Sequence, residues 1–155
     1  MGVLNLFIFS LFMIQRIQSV YLFISFVVLT LAALLFSRQV WGGAEDSPVH
    51  RLFGEQYLYV GIAIMAVVSI AALITLLSIF LFANRKQQLR YVNIAQVGID
   101  LAFLAAVFIP LLAGAAPSLT GWFLAELVVA YVFAFLARRA IIHDEKLVRA
   151  ADRIR

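Results

Sequence analysis

No cysteine occurs anywhere in the chain. That absence excludes structural disulfides, thiolate metal sites, iron–sulfur clusters and a lipidated N-terminal cysteine. Charge is nearly as scarce: Asp, Glu, Lys and Arg make up 13% of the residues, against about 25% in soluble domains. Histidine occurs only as His50 and His143, and neither falls mid-span where a haem ligand would sit. His143 adjoins Asp144, a pairing that by itself reads as a solvated helix face. No HExxH, Ser–His–Asp or glycine-rich phosphate motif is present. "GGAED" at 42–46 reads as a flexible turn, since calcium needs six or more oxygens. An enzyme reading therefore has no residues to stand on, and no cofactor or metal is expected.

What the chain has in excess is apolar surface, with 65% hydrophobic residues. At that content it either spans a membrane or aggregates. A spanning helix needs about 20 mostly apolar residues. Four segments qualify: 20–36, 57–83, 91–113 and 119–137. The intervening loops are 37–56, 84–90 and 114–118. The short ones force antiparallel neighbours. The expected fold is an all-α integral-membrane four-helix bundle, two antiparallel helical hairpins, with an amphipathic cytoplasmic C-terminal helix over 138–155.

The net charge of +4 does not point to nucleic acid, because the basic residues gather at the ends of apolar runs. Ten fall on one side: Arg16, Arg85, Lys86, Arg90, Arg138, Arg139, Lys146, Arg149, Arg153 and Arg155. Arg38 and Arg51 fall on the other. The positive-inside rule then places both termini and the 84–90 turn in the cytoplasm. Trp41, Tyr57, Tyr59 and Trp122 cluster at the outer ends, and Tyr21 and Tyr91 at the inner ends, as interface anchors.

Residues 1–12 extend this pattern awkwardly. A single helix over 3–36 would be about 50 Å long at ~1.5 Å per residue and would carry Gln15, Arg16 and Gln18 into hydrocarbon. The extension reads as an interfacial segment or as an upstream start preceding Met13. A basic leading region is missing, which argues against a cleavable signal peptide.

Two acids lie inside spans. Asp100 is ten residues in from Arg90 and Glu126 twelve in from Arg138, about 15–18 Å from the inner boundary at ~1.5 Å per residue. Intramembrane ionisable groups are costly and mark functional sites by default. Asn93, Gln96 and Asp100 form one polar stripe within about 60° on the helical wheel. Together with Glu126 they are the candidate intramembrane site. Three uses compete: hydrogen bonding between helices, contact with a partner subunit, and proton or ion movement. Glu126 shares a face with Ala130, Ala134 and Ala137, a surface suited to close packing. Ser19, Thr30 and Ser37 align on the first span, but hydroxyls in such helices mostly bond backbone or neighbours.

The closing stretch "RRAIIHDEKLVRAADRIR" holds nine charges in eighteen residues. Read as a helix, it gathers Arg138, Arg139, Glu145, Lys146, Arg149, Asp152 and Arg153 on one arc. Ala140, Leu147, Val148, Ala150, Ala151 and Ile154 fill the other. Glu145–Arg149 and Arg149–Asp152 are spaced for ion pairs. The apolar arc lacks Trp and Phe, so it favours protein contact over lipid. Leu147, Val148, Ala151 and Ile154 are the expected contact face, against the chain's own turn or a partner.

This tail, with "MIQRIQSVYL" at 13–22 and "FANRKQQLR" at 82–90, resembles an uncharacterised family of small four-span bacterial inner-membrane proteins, domain of unknown function 4293, typical of Bacteroidetes. The resemblance covers 13–155 and is most specific in "DEKLVRAADRIR". It implies a fold and an inner-membrane location, and no activity, cofactor or catalytic residue. The expected function is that of a non-enzymatic accessory or scaffold subunit, partnered by the bilayer and by other membrane subunits or its own copies. The alternative is a small transporter or proton-coupled carrier using Asp100 and Glu126.

Overall fold

A computed structural model describes the backbone of residues 2–41, 58–112 and 121–152, and the side chains of 17–38, 59–109, 111–112 and 121–150. Four helices make up this structure: α1 (Gly2–Trp41), α2 (Leu58–Phe80), α3 (Arg85–Leu112) and α4 (Gly121–Asp152). Among the described residues there is no strand. Each helix packs on its sequence neighbours, and α4 closes the ring against α1. The result is an all-α four-helix bundle with minor contact across its diagonals.

Among the described residues, three helices are long and apolar enough to cross a membrane, over Ile17–Arg38, Tyr59–Phe80 and Arg85–Ile109. Their outer faces carry exposed Phe23, Leu31, Leu73, Val97, Leu104 and Phe108, a coat that lipid tolerates and water does not. Tyr59 and Trp122 stand exposed at the starts of α2 and α4, at one shared end of the bundle. There Phe36 stacks on Phe123, with ring centroids 4.4 Å apart.

The boundaries differ from the sequence expectation in two places. First, α1 is one unbroken 40-residue helix, where a separate N-terminal segment was expected. Nothing between Val3 and Trp41 is Gly or Pro, so nothing breaks it. The length objection is met by a 22-residue candidate span within α1, Ile17–Arg38, which leaves Gln15 and Arg16 outside. Second, the basic turn is not a loop through Arg90. The chain reverses over Leu81–Asn84, with Leu81 N–H donating to Ser78 O at 3.3 Å and Asn84 N–H to Leu81 O at 3.0 Å. Asn84 then caps α3, its Oδ1 accepting from Gln87 N–H at 3.2 Å. Helix resumes at Arg85, which places the basic residues on α3 itself.

Within the bundle the apolar core splits in two. The larger cluster holds Leu29, Val68, Ile99 and Leu127; the smaller holds Leu22, Val92, Ala137 and Ile141. In the register between them come buried Ser25, Thr75, Ser78 and Gln96. The hydroxyls bond backbone carbonyls: Ser25 to Ala130 O at 2.9 Å, Thr75 to Ala71 O at 2.8 Å and Ser78 to Thr75 O at 2.6 Å. Thr30 and Ser37 likewise bond Phe26 O and Leu34 O. In hydrocarbon such bonds satisfy the hydroxyl at little cost. Ala130, Ala134 and Ala137 are all buried, so α4 offers the small-residue packing face expected of it. Between α2 and α3, a Cβ on Gly98 would sit 3.3 Å from Ala71 Cβ, so glycine permits this close approach.

Candidate functional site

At the basic end, the bundle closes on polar rather than apolar side chains. Gln18 of α1, Gln88 of α3 and Asp144 of α4 are all buried. Gln18 Nε2 donates to Ala140 O at 3.1 Å, tying α1 to α4. Arg85 Nε lies 2.9 Å from Asp144 Oδ2, and the Asp144 side chain is 0% exposed against 20% for Arg85. The approach is an ion-pair contact whose angle falls outside hydrogen-bond geometry, so both carboxylate oxygens keep unused accepting capacity. Gln88 is 1% exposed with neither amide atom bonded.

Asp144 is the residue that sequence reasoning misplaced. It does not share a solvated face with His143, which is exposed while Asp144 is buried. The available signal was its spacing: Ala137, Ile141 and Asp144 are separated by four and three residues, the same stripe of α4. Arg85 reaches it because the turn ends one residue earlier.

The tail's contact face is corrected by the same rotation. Helix α4 runs without a break through the tail, but Ile141 and Asp144, not Leu147, face inward. Leu147 is exposed, and Val148 is half-buried in a cavity against Phe82, Arg85 and Lys86. The tail therefore packs on its own basic turn. The side chains of Ala151 and Ile154 lie outside the described residues. Glu145 and Arg149 form the expected i, i+4 pair, while the Asp152 side chain is not among those described.

Asp100 and Glu126 share no hydrogen bond among the described residues, and they differ in burial. Glu126 is half-buried and Asp100 exposed, so Asp100 does not point into this bundle. Asp100 sits in a groove of about 170 Å³ between α3 and α4, with Ile99, Phe103, Leu127, Val128 and Tyr131. Glu126 lies roughly 140° around α4 from Tyr131, at ~100° per residue. The inward face of α3 is set by Val92, Ala95, Ile99 and Ala102, and the polar stripe runs along its flank. Of that stripe, Gln96 is buried with Nε2 unbonded, Asn93 is half-buried, and Asp100 emerges outside. Among the described residues, no group of three or more His, Cys, Asp or Glu could hold a metal.

No curated protein and no solved structure matches the chain. Residues 14–154 match the family described as Domain of unknown function (DUF4293). That span takes in α1 from Ile14, the Leu81–Asn84 turn, the Asp100 groove and the Arg85–Asp144 pair, and the chain belongs to this family.

Proposed function

We propose that the protein is a non-enzymatic integral membrane subunit, an accessory or scaffold component of a larger bacterial inner-membrane assembly. It crosses the membrane four times with both termini in the cytoplasm. The single observation that carries the scaffold reading is Asp100, exposed on an otherwise apolar helix surface beside Leu101, Leu104 and Val97. A carboxyl group facing lipid costs about 2.5–3.5 kcal/mol at a helix centre on insertion scales. Covering it with a second helix that brings a cation or hydrogen-bond donor removes that cost. The small groove beside Asp100 has room for such a side chain, and in this reading the partner is a transmembrane helix of another subunit, carrying Lys, Arg or another donor at this depth.

Orientation rests on ten basic residues facing two. Reporter fusions after Gln87 and Arg155 should read as cytoplasmic and one near Glu45 as external; an external Arg155 would overturn the placement. For the scaffold reading, the test is purification in mild detergent with mass spectrometry of what remains bound. A membrane protein should co-purify with the natural sequence and be lost from Asp100→Leu. Retention by Asp100→Leu would remove the groove as the docking site.

A further inference from the structure

The basic turn and the tail enclose a second concavity, distinct from the Asp100 groove. It is an open cavity of about 610 Å³ at the shared end of α2 and α3. Its wall combines Arg85 and Lys86 from α3 with Arg149 and Glu145 from α4, and Phe82 and Val148 supply its apolar surface. Three cations face one carboxylate. Even with buried Asp144 counted behind Arg85, the neighbourhood keeps a positive charge.

Arg85 is a fixed cation. Its Nε lies in ion-pair contact with a fully buried carboxylate, which anchors the guanidinium and leaves its Nη groups as donors. Lys86 is exposed and forms no ion pair among the described residues. Arg149 is anchored by Glu145 on the preceding turn. Phe82, 59% exposed, marks where the polar wall meets the apolar coat. Cations converging beside an exposed aromatic ring at a span boundary match the chemistry of an anionic phospholipid: phosphate against the guanidinium, acyl chains along the apolar side.

We infer that this cavity binds the phosphodiester headgroup of an anionic phospholipid. A cavity of this size falls in the range of organic-ligand sites, about 300–1,000 Å³, and far exceeds what a lone phosphate ion fills. The tail then serves two ends: its inward stripe locks onto the turn through Asp144, and its outer flank supplies Arg149 to the headgroup.

The test uses purified full-length protein in neutral detergent, titrated with short-chain phosphatidylglycerol, phosphatidylcholine of equal chain length, and inorganic phosphate. Phosphatidylglycerol should bind saturably, and the other two at least about tenfold more weakly. Lys86→Gln with Arg149→Gln should weaken phosphatidylglycerol by about tenfold or more. Arg139→Gln with Lys146→Gln removes the same charge outside the cavity and should change it by less than about twofold. Equal losses from the two pairs would mean diffuse attraction and overturn the site. Equal affinity for phosphatidylcholine would make it an apolar slot, and phosphate binding as tightly as phosphatidylglycerol would assign it to a soluble anion. Either result overturns the inference.

Discussion

Arg85→Ala should lower the stability of the detergent-purified protein by about 3–5 kcal/mol, the usual cost of removing one partner from a buried ion pair. The reason is asymmetric burial. Asp144 is 0% exposed and cannot reach water when its cation is gone, whereas Arg85, at 20% exposed, can turn outward when Asp144 is removed. Asp144→Ala should therefore cost less than Arg85→Ala. Replacing both, as Arg85→Met with Asp144→Leu, should recover most of the loss, because apolar pairs of similar volume often match a buried ion pair. Thermal unfolding of the three variants checks the order. Limited proteolysis adds a local readout: with Arg85 gone, cleavage after Lys146 should appear well before the spans are attacked. Equal stability for Arg85→Ala and the natural sequence would show that the tail is not held by this contact.

Asp100→Leu should act in the opposite sense on the isolated protein. A carboxyl group bonded within its own bundle would be missed, but Asp100 is exposed and has no hydrogen-bond partner among the described residues. Removing it from a surface bordered by Leu101 and Leu104 should leave melting unchanged or raise it, since the lipid-facing penalty disappears. The same substitution should strip the partner from the complex, because truncating one side of a desolvated charge contact costs about 2–5 kcal/mol of binding. Higher stability combined with lost association separates a docking residue from a structural one. Lower stability with the partner retained would identify Asp100 as part of the fold.

The helices were legible because long apolar runs bounded by basic residues have few alternatives. Composition decides that a span exists, and short connections decide that neighbours run antiparallel. The polar residues were harder to place. Periodicity put Asn93, Gln96 and Asp100 on one stripe, yet a stripe has no inward direction until the neighbouring helices are known. The buried face of α3 is centred on Val92 and Ile99, and that rotation turned Asp100 outward. On the tail, sorting residues into charged and apolar arcs failed at Asp144, where a charged residue occupies the inward stripe. A long-range partner made that position tolerable, and Arg85 lies 59 residues away in sequence. The extended α1 was misjudged by treating a continuous helix as a continuous span, although a span of ordinary length, Ile17–Arg38, lies within it.

Photocrosslinking in native membranes tests the proposed docking of a partner helix most directly. A photoreactive residue at Phe103, on the wall of the Asp100 groove, should form one discrete protein adduct that disappears when Asp100→Leu is introduced. The same probe at Leu73, exposed on α2, should capture lipid alone. A lipid-only adduct at both positions would contradict the account, because Asp100 would then face the bilayer uncovered.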